Sequence, residues 1–139
     1  MMKEIASVMV LLALCIPALA VDMPNMVGNW TGTAHGVDLI KQSSTQPLGV
    51  PIYWDRNYTI VITEQNGTRF SGKFIPSIQP QNIEAVLGVI GSDNKTIALV
   101  DETGSYWGSM KSPTEIELFS SLADLERMDV GAGTFTKAT

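Results

Sequence analysis

The stretch Asn57 to Ile75, NYTIVITEQNGTRFSGKFI, constrains the fold more than any other part of the chain. Tyr58, Ile60 and Ile62 alternate with Thr59, Val61 and Thr63, and beyond Asn66-Gly67 the residues Phe70, Gly72 and Phe74 alternate with Arg69, Ser71 and Lys73. A period of two sends one set of side chains to a buried face and the other to water, which is the signature of a strand. Asn-Gly between two such runs supplies the positive φ angles of a tight turn. The stretch therefore predicts a β-hairpin, and a hairpin must find further strands to be stable.

Those strands are legible on both sides. Val27 to Thr33 (VGNWTGT) predicts a first strand with Trp30 inward. Glu84 to Ile90 (EAVLGVI) is an almost continuous apolar run that suits a buried strand or a helix segment, and Gly88 with its β-rich neighbourhood favours the strand. Gly91-Ser92-Asp93-Asn94 turns the chain into Thr96 to Val100, with Ile97 and Leu99 inward. Tyr106 to Met110, Glu115 to Phe119 and Gly133 to Lys137 complete a set of eight, and Ser120 to Asp129 reads as a short helix or an extended edge. Between the first strand and the hairpin, His35 to Arg56 carries Gly36, Pro47, Gly49 and Pro51 and reads as a long lid-like loop, with Ile52, Tyr53 or Trp54 packing back on the body. Eight sequential antiparallel strands joined mostly by short turns predict an all-β, up-and-down barrel, which removes sheet edges by closure; a two-sheet sandwich is the alternative. A barrel of this size is either just filled or holds one small ligand.

The N-terminal residues read as an address. Lys3 precedes an apolar run from Ile5 to Ile16, and Pro17-Ala18-Leu19-Ala20 ends in a small-x-small pattern, so residues 1–20 are expected to be a signal peptide and 21–139 a single exported barrel domain. An uncleaved anchor is the alternative, although the run is shorter than the roughly 20 residues that span a bilayer, and no second run follows. Cys15, the single cysteine, lies in that segment behind Leu14, which is too large for a lipid-attachment motif. The domain is thus expected to be secreted or otherwise extracytoplasmic, without disulfides or a thiol nucleophile. A net charge of −5 excludes the basic stripe that nucleic acid requires.

Gly28-Asn29-Trp30 opening the first strand, Lys137 near the end of the last, Phe70-Ser71-Gly72-Lys73-Phe74 and Tyr106-Trp107-Gly108 together resemble the calycin architecture of lipocalins and avidins. That resemblance implies a closed eight-stranded barrel in which Trp30 plugs one end and Lys137 packs across it. Where avidins place small polar ligand contacts, this chain has Thr31-Gly32-Thr33-Ala34, so biotin is not expected.

The candidate chemistry is sparse. His35 is the only histidine and has no nucleophile or orienting partner placed beside it by a motif. Asp93, Asp101 and Glu102 occupy turns and Glu115 and Glu117 an outward strand face, so no metal set or cofactor is indicated. Asn29, Asn57, Asn66 and Asn94 each begin an Asn-x-Thr sequon and are candidate glycan acceptors in an exported chain. Tyr53, Trp54, Tyr58 and Trp107 are the candidate ligand-binding aromatics. The resulting expectation is a non-enzymatic exported barrel binding a small apolar ligand, or else a filled barrel serving as a secreted or cell-surface protein-interaction module. A void of about 300 Å³ or more beneath Tyr53 and Trp54 separates the first from the second.

Overall fold

The structure, a computed structural model, describes residues 22–41 and 49–139, so the expected signal peptide lies outside the described residues. Eight antiparallel strands follow one another around a closed barrel: β1 (Gly28–Ile40), β2 (Pro51–Asn66), β3 (Arg69–Pro76), β4 (Glu84–Ile90), β5 (Thr96–Val100), β6 (Ser105–Ser112), β7 (Glu115–Ala123) and β8 (Arg127–Lys137). Closure is made by β1 against β8, from Trp30 opposite Lys137 to Ile40 opposite Arg127. The all-β up-and-down barrel expected from the alternation is the observed fold.

The core fills one half of the barrel. Trp30, Ile60, Ile62, Phe70, Phe74, Val86, Ile90, Ile97, Leu99, Ile116, Leu118 and Phe135 are all buried, each on the inward parity of its strand. Trp30 is completely enclosed and its indole Nε1 donates to the Met26 carbonyl at 2.8 Å. Met26, in the lead-in before β1, is itself buried and closes the bottom of the barrel. Lys137 places its ammonium 5.4 Å from the Trp30 ring centroid and donates to the Asn25 carbonyl at 2.8 Å.

Three local expectations need correction. The segment from His35 to Arg56 is not a long loop: β1 continues to Ile40 and β2 begins at Pro51, with Leu39 paired to Pro51. Gly36 was the misleading residue. It sits mid-strand because the Trp54 indole lies against its backbone, and a Cβ there would come within 2.3 Å of Trp54 Cζ2. Ser120 to Asp129 is neither helix nor edge, since β7 runs to Ala123 and β8 starts at Arg127. Asp124 makes the reversal by accepting from the Glu126 and Arg127 amides at 2.7 and 2.8 Å.

The organising hairpin also turns one residue later than Asn66-Gly67 suggests. Asn66 still pairs with Arg69, leaving Gly67-Thr68 as the two-residue loop, and of those only Gly67 has a positive φ, at 61°. Just before it, the register shifts between Ile62 and Glu64, a bulge that reverses the parity of the strand end. Glu64 consequently lies outside, where Ser71 Oγ donates to it at 2.7 Å, and Gln65 turns to the bottom of the barrel. There Gln65 accepts from the Met26 amide at 2.7 Å and donates to the Pro24 carbonyl at 2.9 Å.

Candidate functional site

The end of the barrel opposite Trp30 is open and holds a cavity of about 300 Å³. The inward parity that buries Ile62 and Ile60 continues along β2 to Tyr58, Arg56 and Trp54, and all three line this space. Its floor is apolar, made by Ala34, Phe74, Leu118 and Phe135. Its rim is polar, with Arg56, Gln79, Asn82, Glu84, Ser120, Arg127 and Asp129. An apolar body with a few convergent polar groups is the usual make-up of a small-molecule site.

The aromatic wall is continuous. Tyr58 and Phe74 have ring centroids 4.8 Å apart, and Phe74 and Tyr106 are 5.8 Å apart. Tyr106 donates its phenol to Asp101 Oδ2 at 2.5 Å, and burial together with that carboxylate pushes the phenol well above its ordinary pKa. Beside it Glu84 accepts from Thr103 Oγ1 at 3.1 Å. Desolvation first, and then the charge of Asp101, raise the Glu84 carboxyl pKa.

Trp54 forms the other side of the mouth. Its indole lies over Gly36 and Gly131, where any Cβ would collide with the ring, and its Nε1 donates to Asp129 Oδ2 at 3.1 Å. The Arg56 guanidinium stands 5.0 Å from the Trp54 centroid, a cation–π arrangement. Burial raises the Asp129 pKa; the Trp54 hydrogen bond opposes this and the charge of Asp38 adds to it. Asp38 pairs directly with Asp129 across β1 and β8, and its Oδ1 is buried without a hydrogen bond. The cavity lining thus contains two arginines, Arg56 and Arg127, and two carboxylates, Glu84 and Asp129, over an apolar floor. None of these four forms an ion pair within 4 Å among the described residues.

The structure brings Trp54 and Tyr58 together at the cavity and places Tyr53 and Trp107 elsewhere. Tyr53 is 81% exposed on the outer face of β2, and Trp107 is outward on β6, where it stacks on Phe119 at 6.3 Å. His35 is also an outward strand residue, not a loop residue. Asn29, Asn57 and Asn66 are exposed, whereas Asn94 is half-buried in the β4–β5 turn with a φ of 54°. Thr33 Oγ1 donates to the Asn57 carboxamide oxygen at 2.6 Å. Arg56, Arg127, Asp129, Glu84 and Ser120 were missed by the sequence reading. Stepping back from Tyr58 two residues at a time would have put Arg56 and Trp54 inside and Tyr53 outside.

No protein-family model matches the chain, and no curated protein sequence matches it. Among solved structures the chain is similar to the S-type phycobiliprotein lyase CPES from Guillardia theta, with a TM-score of 0.47 and 9% identity over 82% of this chain and 89% of that one. That neighbour is a lyase by its name, and the expectation of a strictly non-enzymatic chain is not kept.

Proposed function

We propose that this protein is an exported calycin-like barrel whose open end binds a small amphipathic molecule, with the apolar part against Phe74, Leu118 and Phe135 and the polar part among Arg56, Arg127 and Asp129. The observation that carries the reading is the cavity itself. Its volume of about 300 Å³ reaches the lower range of small-ligand pockets, and most of its residues come from strands that the closed core already holds in place, with Gln79, Asn82 and Thr103 added from the connections. The sequence pointed to a purely apolar ligand, and the charged rim extends that to a ligand with a polar head. Export is supported by the N-terminal sequence, Lys3 followed by the apolar run and Pro17-Ala18-Leu19-Ala20.

The test is titration with 8-anilinonaphthalene-1-sulfonate, an apolar ring system bearing one anionic group, followed by its fluorescence. One saturable site is expected in the parent protein. Ser120→Phe, which fills the cavity from β7, should abolish that site while leaving the thermal midpoint within a few degrees. Equal binding by the filled variant would place the dye elsewhere and remove the support for this reading.

A further inference from the structure

At the mouth of the cavity two opposite charges are anchored to one ring without meeting each other. The Arg56 guanidinium stands 5.0 Å from the Trp54 ring centroid, and Asp129 Oδ2 accepts from the Nε1 of the same indole at 3.1 Å. Both side chains line the cavity, and among the described residues no ion pair within 4 Å joins them. The indole is a spacer. Arg56 comes to it from β2 and Asp129 from β8, while Gly36 and Gly131, lacking side chains, give it its seat.

Two further charges adjoin this pair. Asp38 is paired with Asp129 across β1 and β8, and Arg127, which also lines the cavity, precedes Asp129 by two residues on the same face of β8. This wall of the mouth therefore carries two positive and two negative groups. On the opposite wall Glu84 accepts from Thr103 Oγ1, and Asp101 accepts from the Tyr106 phenol and from the Thr103 and Gly104 amides, so those carboxylates already have donors. The Asp129 side of the mouth is short of them. Asp38 Oδ1 is buried without a hydrogen bond, and burial raises the Asp129 pKa against the single bond from Trp54.

A ligand head of one charge would be attracted by half of this wall and repelled by the other half. An uncharged apolar ligand would cover both signs and leave them without partners, which is costly for groups removed from water. A dipolar head gains at both. We infer that the ligand's head group is that of an α-amino acid, with its carboxylate accepting from Arg56, its ammonium donating to Asp129, and an aromatic side chain directed into the barrel. The inference rests on the reading of the open end as a small-molecule site and adds the chemistry of the head and body. A guanidinium fork matches a carboxylate, and an ammonium supplies three donors. Beneath the charges lie Tyr58, Phe74, Leu118 and Phe135, with Tyr58 and Phe74 already a tilted aromatic pair at 4.8 Å. An apolar cavity of about 150 Å³ is enough for benzene. The 300 Å³ or so present here accommodates one ring together with its head group.

Isothermal titration calorimetry of the purified protein at neutral pH tests the inference with three probes. These are L-phenylalanine, 3-phenylpropionate, which lacks the ammonium, and 2-phenylethylamine, which lacks the carboxylate. Phenylalanine is expected to bind at least about tenfold more tightly than either, the factor set by one hydrogen bond to a charged group. Arg56→Met, which keeps the aliphatic stem, should bring phenylalanine down to the affinity of phenylethylamine and leave phenylethylamine itself unchanged. Asp129→Asn, which can still accept from Trp54, should bring phenylalanine down to the affinity of phenylpropionate and leave phenylpropionate unchanged. Either single-charge probe binding as tightly as phenylalanine overturns the inference. So does a variant that keeps the parent circular dichroism yet weakens all three probes alike. If 8-anilinonaphthalene-1-sulfonate occupies the cavity and none of the three probes binds, the amino-acid head is wrong and the small-molecule site stands; if the dye finds no site either, both readings fall.

Discussion

The seat of Trp54 makes a quantitative prediction about two glycines. A methyl group at position 131 would lie 2.8 Å from Trp54 Cη2, 3.0 Å from Ser120 Oγ and 3.1 Å from Trp54 Cζ2, all side-chain atoms that can shift. A methyl group at position 36 would lie 2.3 Å from Trp54 Cζ2 and also 2.5 Å from the Val130 carbonyl oxygen, which belongs to the β1–β8 ladder and cannot move away. Overpacking a filled site costs roughly 1 to 3 kcal/mol, so Gly131→Ala should sit near the lower value and Gly36→Ala near the upper. Replacing Trp54 by alanine separates the causes. In the Trp54→Ala background, Gly131→Ala should become neutral or slightly stabilising, since glycine within a strand is about 0.5 to 1 kcal/mol worse than alanine. Gly36→Ala should recover only part of its penalty, because the carbonyl remains. Urea unfolding followed by circular dichroism gives the midpoints, with an unchanged slope showing that only stability moved. If Gly131→Ala costs the same with and without the indole, the close packing of Trp54 on β1 and β8 is not what excludes a side chain there, and the reasoning fails.

Other perturbations have equally definite outcomes. Trp30→Ala should cost about 3 to 5 kcal/mol by removing the largest enclosed side chain, and a cost below about 1 kcal/mol in urea would contradict its place in the core. Lys137→Met keeps much of the aliphatic stem but removes the ammonium from the Trp30 face and the Asn25 carbonyl, and should lower stability by about 0.5 to 1 kcal/mol. Asp93 accepts from Thr96 Oγ1 and from the Lys95 and Thr96 amides, which hold its pKa down to about 2. A depressed carboxyl contributes stability above its unfolded pKa and loses it as pH falls through the folded one. The unfolding midpoint should therefore drop between about pH 4 and pH 2, and Asp93→Asn should flatten that part of the profile. Asp129 has the opposite sign: its raised pKa makes the ionised form unfavourable in the fold, so that Asp129→Asn should remove the gain in stability otherwise seen on acidifying from neutral pH towards pH 4.

What was legible in the sequence followed from side-chain alternation. Tyr58, Ile60 and Ile62 against Phe70, Gly72 and Phe74 gave the central hairpin, and the spacing of turns gave the number of strands and the closed sheet. The reading failed where a residue usually taken as a breaker was serving as a spacer. Gly36 lies flat because an indole covers it, and Pro51 begins a strand, where it has no interior ladder position to disrupt. It failed again at Asp38, Arg56, Arg127 and Asp129, because charged side chains on the inward parity near the open end contradict the pattern of apolar inside and polar outside. Parity carried back from Tyr58 reaches Arg56, but Asp38, Arg127 and Asp129 come together only once β1 and β8 have paired. The bulge at Ile62/Glu64 leaves no mark in composition, yet it decides that Gln65 and not Glu64 reaches the bottom of the barrel.

The meeting of Trp30 with Lys137 in the β1–β8 ladder has a practical geometric corollary. The chain enters β1 and leaves β8 at the same pole, with the Ala138 amide donating to the Asn29 carbonyl at 2.8 Å, while the cavity opens at the other pole. Any tether attached ahead of Met26 or behind Lys137 would hold the barrel base-down and present its mouth to the surroundings. Joining the two by a short linker and cutting the chain at another turn should reorder the strands in sequence without altering their order in space.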